Sequence, residues 1–433
     1  MDGNDFKIAV FGLGHIGLPT AAIFADKGLE VVGVARNERK MEMINNGIPP
    51  IMETGLKTLL NSAIEKNKFI ATSDGVEASK ISNVHIIIVP TPKDNANNSE
   101  LSAVTSVAET ISKGLKSGDL VIVESTVPPK TCETIVVPLL EKSGFNAGED
   151  FGVAYTPERA IPTSTIHEMT HNPRVIGGID DKSTDTAADL YSMVTEGKII
   201  KVKNTMTAEI VKLMENIYRD VNIALANEFS MICRALGADV IEAIDAANHH
   251  PRVNIHTPGP GVGGHCISID PYFLIESANN NGVKVSLIQT SRDVNNSMPL
   301  QVVKLVKSAL KESGKSVSHS KIGILGVAYK GNIADTRETP AKPLIETLND
   351  EGGEIYIHDP YVPPETIQTF AGKPAALQDV LKCDCVVLVT DHDLYRNITP
   401  EMVEKKVFVS TRPIINPEDF RKKGFIFRGI GRC

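Results

Sequence analysis

The chain has no tryptophan, no membrane-length apolar run, no lysine–arginine cluster and no cysteine framework. The missing tryptophan leaves an ordinary composition, 42% hydrophobic and 23% charged, which fits a soluble globular protein. With no apolar run of spanning length and no signal-peptide pattern at the start, the expectation is a cytoplasmic protein with no membrane partner. Net charge is −8, and without a basic cluster nucleic acid is not an expected partner. The six cysteines, 132, 233, 266, 383, 385 and 433, stand at unrelated spacings. They read as reduced thiols. Cys383-Asp384-Cys385 is too tight for a zinc pair and precedes a strand, so it reads as core or chance, and no metal is called for. At 433 residues, two or three domains are expected, each able to bury its own core.

What the chain does have is one stretch of unusual density, Gly259-Pro260-Gly261-Val262-Gly263-Gly264-His265-Cys266-Ile267-Ser268-Ile269-Asp270-Pro271-Tyr272. Glycines there let a backbone approach a ligand with no side chain in the way. A helix is expected to begin near Gly264, which would put Cys266 and Asp270, four apart, on one face. A helix N-terminus also favours the reactive thiolate. The plainer alternative is a small buried cysteine beside a structural turn.

At the other end, Phe6 to Phe11 reads as a buried strand, and Leu18 to Lys27 as a helix. Between them Gly12-Leu13-Gly14-His15-Ile16-Gly17 is a dinucleotide-binding turn, with the pyrophosphate at the helix N-terminus. The next strand, Glu30 to Val34, should end on an acid that holds the adenine ribose; here Ala35-Arg36 follows. Val84 to Val89 leads into Pro90-Thr91-Pro92, and Leu120 to Glu124 into Ser125-Thr126. Continuous apolar strands alternating with helices predict a parallel sheet covered on both faces. Ligands bind beyond the carboxyl ends of such strands, which places Thr91 and Thr126 near the cofactor. Ordinary turn threonines are the alternative. Phe151 to Tyr155 gives another strand, ending at Thr156-Pro157-Glu158-Arg159.

Thr205 to Leu236 contains neither glycine nor proline, and predicts a helical spine joining two domains. Glu209, Lys212, Asn216 and Arg219 recur along it at steps of three and four, one stripe on a helix whose other faces are apolar. A solvated polar face is the usual explanation of such a stripe; on a mostly buried helix its polar groups need partners, and a ligand is one way to supply them. After the cysteine stretch the chain reads as helical to about Glu312, then a linker at Ser313–Ser316. Strands at Lys321–Gly326, Glu354–His358, Cys385–Val389 and Val407–Val409 form a second parallel sheet without the dinucleotide triplet. The fold class is therefore α/β, with two doubly wound Rossmann-like domains flanking a central helical domain. The expected boundaries are 1–203, 204–312 and 313–433.

Three runs carry a resemblance: Gly261-Val262-Gly263-Gly264-His265-Cys266, Ala208-Glu209-Ile210-Val211-Lys212-Leu213 with Asn216, and Tyr329-Lys330-Gly331-Asn332. They resemble the UDP-glucose/GDP-mannose dehydrogenase family, and the likeness covers almost the whole chain. The family oxidises a nucleotide-sugar alcohol at C6 to a carboxylate with two NAD per turnover, often for polysaccharide biosynthesis. Pro157-Glu158-Arg159, Glu215 to Ala224 and His250 to His256 are similar to the branch acting on UDP-N-acetyl-D-mannosamine. UDP-N-acetylglucosamine and UDP-glucose are the alternative substrates.

The resemblance implies Cys266 as nucleophile, Lys212 as base or polarising group, and Asn216 as oxyanion holder. Asp270 would orient Lys212 or a water, and Glu158 with Thr126 would place the hydrolytic water. NAD would lie on Gly12, Gly14, His15, Ile16 and Gly17, with Ala35, Arg36, Thr91, Thr126 and Arg337 around it. The UDP-sugar would meet Arg159, Ala160, Lys212, Asn216, Arg219, His250, Arg252, Gly263, Tyr329 and Lys330. Arg252 would serve a neighbouring subunit, so a homodimer or a dimer of dimers is expected. Three positions depart from the family pattern: Ala35 for the ribose acid, Thr163 after Pro162 where glycine is common, and Ser410 before Thr411-Arg412. A beta-hydroxyacid dehydrogenase would need neither the cysteine nor a second nucleotide-type domain. A non-catalytic sugar-nucleotide-binding protein would not need Lys212, Asn216, Cys266 and Asp270 intact.

Overall fold

The computed structural model describes residues 6–160 and 164–432. Pro162, Thr163 and Cys433 lie outside the described residues. The chain divides into two compact units, Met1–Glu215 with Tyr272–Val283, and Asn216–Pro271 with Lys284–Cys433.

The first unit is built on eight strands: β1 Lys7–Phe11, β2 Glu30–Val34, β3 Phe69–Thr72, β4 Val84–Ile87, β5 Leu120–Val123, β6 Gly152–Tyr155, β7 Arg174–Gly178 and β8 Ile199–Lys201. Their order in the sheet is β3-β2-β1-β4-β5-β6-β7-β8. Successive side chains of a strand point to opposite faces. Ile8 and Val10 of β1 accordingly enter one apolar cluster, and Ala9 and Phe11 another. β5, Leu120–Val123, is likewise covered on both faces, which is why it is apolar without alternation.

The sheet is not wholly parallel, as the sequence led one to expect. β7 runs antiparallel to β6, and β8 follows β7 in the same sense. β7 begins on a charged residue and ends on two glycines, and β3 and β8 are four and three residues long. Such segments lack the apolar run that marks an interior strand.

Helix α1, Gly17–Asp26, follows β1. The spine, α2, runs Thr205–Leu236, the whole of the stretch without glycine or proline. It ends where Gly237 adopts φ +78° and Ala238 N–H bonds the Cys233 carbonyl at 2.9 Å, a left-handed glycine cap.

Helix α3 is Asp270–Asn280 and helix α4 is Ser286–Glu312. The helix expected from Gly264 thus starts six residues later, with Gly264–Ile269 forming turns. Gly264 sits at φ +85°, outside the helical region. Pro271 falls in the first turn of α3, where its missing N–H costs nothing. The helical stretch expected to continue to Glu312 is also interrupted. Gly282 at φ +73° ends α3, with Val283 N–H on the Ala278 carbonyl at 2.9 Å.

The second unit carries six parallel strands: β9 Lys321–Leu325, β10 Glu354–His358, β11 Lys373–Pro374, β12 Cys385–Leu388, β13 Val407–Ser410 and β14 Ile426–Gly429. Their order is β11-β10-β9-β12-β13-β14, the doubly wound order of the first six strands of the first sheet. Cys385 and Val387 enter one cluster, Val386 and Leu388 the other. Cys383 and Cys385 are buried, and Cys385 is core. Among the described residues no helix is long and apolar enough to cross a membrane.

Candidate active site

Beyond β1 the three turn glycines do three different things. Gly12 is at φ +105°, and a Cβ there would stand 2.0 Å from the Ile88 carbonyl oxygen. A Cβ on Gly17 would stand 1.8 Å from the Gly12 oxygen, so this residue permits the helix to meet the turn. A Cβ on Gly14 would meet nothing within 4 Å. Open space over the middle glycine, at a helix start that no side chain caps, is what a dinucleotide pyrophosphate needs. These residues fit NAD. Beyond β2, Ala35 is part of the core edge and gives its N–H to Thr72 at 3.1 Å. Arg36 and Arg39 are exposed.

The ends of β4 and β5 are stitched together by hydroxyls. Ser125 accepts from Val89 N–H and donates to the Val89 carbonyl, both at 2.8 Å. Thr91 donates to the Thr126 carbonyl at 2.7 Å. Thr91 and Thr126 therefore stand side by side at the expected edge. Beyond β6, Lys212 is 8% exposed and donates to the Glu158 backbone carbonyl at 2.6 Å. The Glu158 carboxylate turns back onto Ala160 N–H. Burial pushes the Glu158 carboxyl up, with Lys212 opposing and Glu124 adding to the rise.

Glu124 was legible only as a strand end. It is buried with Arg174 Nη1 at 3.2 Å and accepts from the Tyr191 hydroxyl. Burial raises its carboxyl despite the Arg174 charge. Arg174 also donates to Thr156 at 3.3 Å, so it braces the turn that carries Glu158. Arg159 lies bidentate on Glu215, at 2.6 and 3.1 Å, and donates to the Pro173 carbonyl at 2.6 Å.

On the spine, Glu209, Lys212 and Asn216 are buried as the stripe requires, but Arg219 is exposed. The next buried polar position after Asn216 is Asp220, 0% exposed, and after it Asn227. A step of four from Asn216 tracks the helix as well as a step of three, and the burial selects it. Glu209 serves structure: its carboxylate accepts from Lys130 and Cys132 N–H at 2.6 and 2.9 Å.

In the second unit, Asn216 donates to the Asp270 carboxylate at 2.5 Å. Cys266 stands in the turn before α3, partly exposed, and its carbonyl takes Ile269 and Asp270 N–H at 3.0 and 2.8 Å. Gly264 N–H bonds the Arg337 carbonyl at 3.0 Å, and a Cβ on Gly264 would stand 2.9 Å from the Tyr329 ring. On Gly263 it would stand 2.6 Å from Tyr329 Cβ. These glycines thus admit the 329–337 segment of the chain itself. Burial, then Asp335 and Cys266, push the Tyr329 hydroxyl up to about 12. The guanidinium of Arg337 is bidentate on Asp335, at 2.6 and 2.9 Å to its two oxygens.

The second glycine turn, after β9, differs from the first. Asp359 follows β10 and turns one carboxylate oxygen onto Val327 and Ala328 N–H, at 2.8 and 3.1 Å. An internal anion thus takes the turn amides that β1's turn leaves open. His392, 0% exposed, donates Nε2–H to the same oxygen at 3.0 Å and accepts Asn332 N–H at 2.9 Å. Asn332 then exchanges bonds with Asp393 at 2.7 and 3.0 Å. This network fixes the segment bearing Tyr329 and exposed Lys330. Arg219, His250 and Arg252 are exposed. Ser410 closes its own turn by donating to the Arg412 carbonyl at 2.7 Å.

Three family models match in succession. Residues 6–195 match the NAD binding domain of the UDP-glucose/GDP-mannose dehydrogenase family, 206–297 its central domain, and 323–417 its UDP binding domain. The chain is 41% identical over 437 residues to a UDP-N-acetyl-D-mannosamine dehydrogenase of Methanococcus maripaludis, covering 98% of this chain and 97% of that one. It is 38% identical over 426 residues to an NDP-N-acetyl-D-galactosaminuronic acid dehydrogenase of Ralstonia nicotianae, covering 94% and 96%. A solved structure, the UDP-D-ManNAc dehydrogenase of Pyrococcus horikoshii, superposes with a TM-score of 0.92 at 40% identity, covering 98% of this chain and 99% of that one.

Proposed function

The chain belongs to the UDP-glucose/GDP-mannose dehydrogenase family, and from that premise we propose that it oxidises UDP-N-acetyl-D-mannosamine at C6 to the uronate. The observation that carries the reading is the contrast between the two glycine turns. One is open over Gly14, and the other is closed by Asp359. With a single dinucleotide site, two oxidations must use cofactor in succession, and the half-oxidised sugar must be retained.

A covalent bond to Cys266 retains it. Lys212 takes the hydroxyl proton as the alcohol becomes an aldehyde. The Cys266 thiolate adds to that carbonyl, and Asn216, held by Asp270, donates to the oxygen. Loss of the second hydride from this thiohemiacetal leaves a thioester. Glu158, with Thr126, takes one proton from water as it attacks the acyl carbon, expelling the thiolate, and the carboxylic acid formed gives its own proton to solvent as it leaves as the carboxylate. NAD, when bound, supplies the hydride acceptor. In this reading residues 1–203 hold NAD, 204–312 carry the spine and the cysteine, and 313–433 hold UDP through Tyr329 and Lys330. The test is a panel of UDP-sugars assayed for NADH release, with two NADH expected per UDP-N-acetylmannosamine.

Ala35 sets a further expectation. An acid at this position accepts both ribose hydroxyls and repels a 2′-phosphate; alanine does neither, and Arg36 and Arg39 add positive charge. NAD should work but bind loosely, preferred over NADP by only about tenfold, or ~1.4 kcal/mol. Ala35→Asp should tighten NAD and weaken NADP together. An unchanged ratio of kcat/KM for the two cofactors would mean that residue 35 does not face the ribose.

In this reading a second copy would pack on the exposed face of the spine. Tyr218, Leu225 and Ile232 recur there every seven residues and are 55%, 40% and 53% exposed, an apolar stripe of the kind helices pair on. Exposed Arg252 would then serve the partner's site. Light scattering should give at least twice the 46.7 kDa chain mass, and Tyr218→Glu with Leu225→Glu should give half the wild-type value. A monomeric wild type would exclude this arrangement.

A further inference from the structure

Four buried polar side chains of the second unit take no part in the chemistry above, yet they end on the loop that carries Cys266. The Asp220 carboxylate accepts from Arg292 Nη1 at 2.6 Å and from Asn295 Nδ2 at 2.8 Å. The same Asn295 nitrogen donates to the Asp220 carbonyl at 3.0 Å. Asn295 therefore turns Oδ1 to Asn227, whose Nδ2 donates to it at 2.9 Å. Asn227 in turn presents Oδ1 to Gly259 N–H at 2.9 Å. None of the four side-chain bearers, Asp220, Asn227, Arg292 and Asn295, is more than 2% exposed.

Direction is the point of this relay. A side-chain amide can present either end, whereas a carboxylate only accepts. Asp220 thus decides which way Asn295 faces, Asn295 decides Asn227, and Gly259 meets an oxygen rather than an NH2 group. The backbone of Asn295 also packs against the loop. Pro299, four residues on in α4, has no N–H to offer the Asn295 carbonyl. Gly261, at φ +130°, stands against that carbonyl, where a Cβ would come within 3.1 Å of the oxygen. A buried ion pair is costly to desolvate, and an apolar pair of similar volume is often at least as stable. Stability alone therefore does not account for Asp220 and Arg292.

We infer that Asp220, Asn295 and Asn227 are positioning residues for the cysteine loop, setting where the Cys266 thiol stands. The inference rests on Cys266 being the nucleophile. Three changes test it in the full-length protein: Asn227→Ala, Asp220→Asn, and Asp220→Leu combined with Arg292→Leu. The first cuts the last link, and the second replaces the carboxylate, one of the two acceptors at residue 220 that fix Asn295, by an amide that can also donate. The third replaces the ion pair by apolar side chains, so that the fold is kept. Iodoacetamide labelling of the Cys266 peptide is followed by mass spectrometry, beside kcat and KM for the UDP-sugar.

All three should label at a rate changed about threefold or more. Their kcat should fall about tenfold or more while KM stays within about twofold, since displacing a reacting group by about 1 Å can cost ~100-fold. Wild-type labelling and kcat in Asn227→Ala and Asp220→Asn would overturn the inference. So would a kcat loss that follows melting temperature while labelling, well below that temperature, stays at the wild-type rate. Labelling needs no turnover, so the relay is tested even if Cys266 proves not to be the nucleophile.

Discussion

Cys266→Ser should bind UDP-sugar as the wild type does and lose steady turnover by roughly a thousandfold or more, the scale on which removing a covalent nucleophile acts. The loss should fall on one step. The first oxidation needs Lys212 and a hydride acceptor, so one NADH per active site can still form. The second needs a C–H on a tetrahedral carbon bearing oxygen and sulfur, and a neutral serine hydroxyl adds to the aldehyde far less readily than a thiolate. Single-turnover measurement should therefore give one NADH where the wild type gives two, with aldehyde or a stalled adduct on the protein. Tyr329 sharpens the expectation. With its hydroxyl pushed up to about 12 by burial, Asp335 and Cys266, it stays a neutral O–H group near the thiol at working pH. Steady release of two NADH per sugar from this variant would sink the covalent mechanism.

How far these features could be read in advance depended on whether the sequence signal was local. The spine was legible end to end because helix propensity and the absence of glycine and proline act within the segment itself. The glycine triplet was legible because its spacing between a strand and a helix is a local property. Arg219 and Asp220 show where this stops. Both are polar, adjacent and at allowed helical steps, and only packing against α4 turns Asp220 inward to meet Arg292. The start of α3 was misplaced for a related reason. Glycine-to-apolar change marks the end of a loop, but the φ of Gly264 and the proline at 271 decide where the backbone can close its first helical turn. Asp359 was hidden more deeply. Its role depends on Val327 and Ala328, thirty-odd residues earlier, coming to the same strand ends, and a sequence presents no sign of that pairing. The short strands β3, β8 and β11 form because neighbours offer them hydrogen bonds, not because their own residues demand it.

The substrate should be chosen by the 2-acetamido group, with kcat/KM for UDP-N-acetylmannosamine exceeding that for UDP-glucose by about 10³-fold or more. A site that hydrogen-bonds a substrate amide leaves buried polar groups unpaired when the amide is missing, and such omissions can cost ~10⁴–10⁵-fold, whereas a missing methylene costs ~10–200-fold. In the proposed function the turn from Thr156 to Ala160 would hold such a group still. Arg174 braces its first residue, Arg159 is clamped by Glu215 and Pro173, and the Glu158 carbonyl is tied to Lys212. A turn fixed at three points cannot reshape itself around a smaller sugar, so the energy lost with the acetamido group is not recovered by relaxation. Exposed Arg219, His250 and Arg252 lie elsewhere in the chain and would act on sugar, acetamido or diphosphate oxygens; their loss should raise KM. Arg159→Leu should instead lower kcat/KM for UDP-N-acetylmannosamine far more than for UDP-glucose. Measuring both sugars, with UDP-N-acetylglucosamine and UDP-N-acetylgalactosamine beside them, in the wild type and in Arg159→Leu decides the matter: equal wild-type kcat/KM for UDP-glucose would show that the site is not built around the amide.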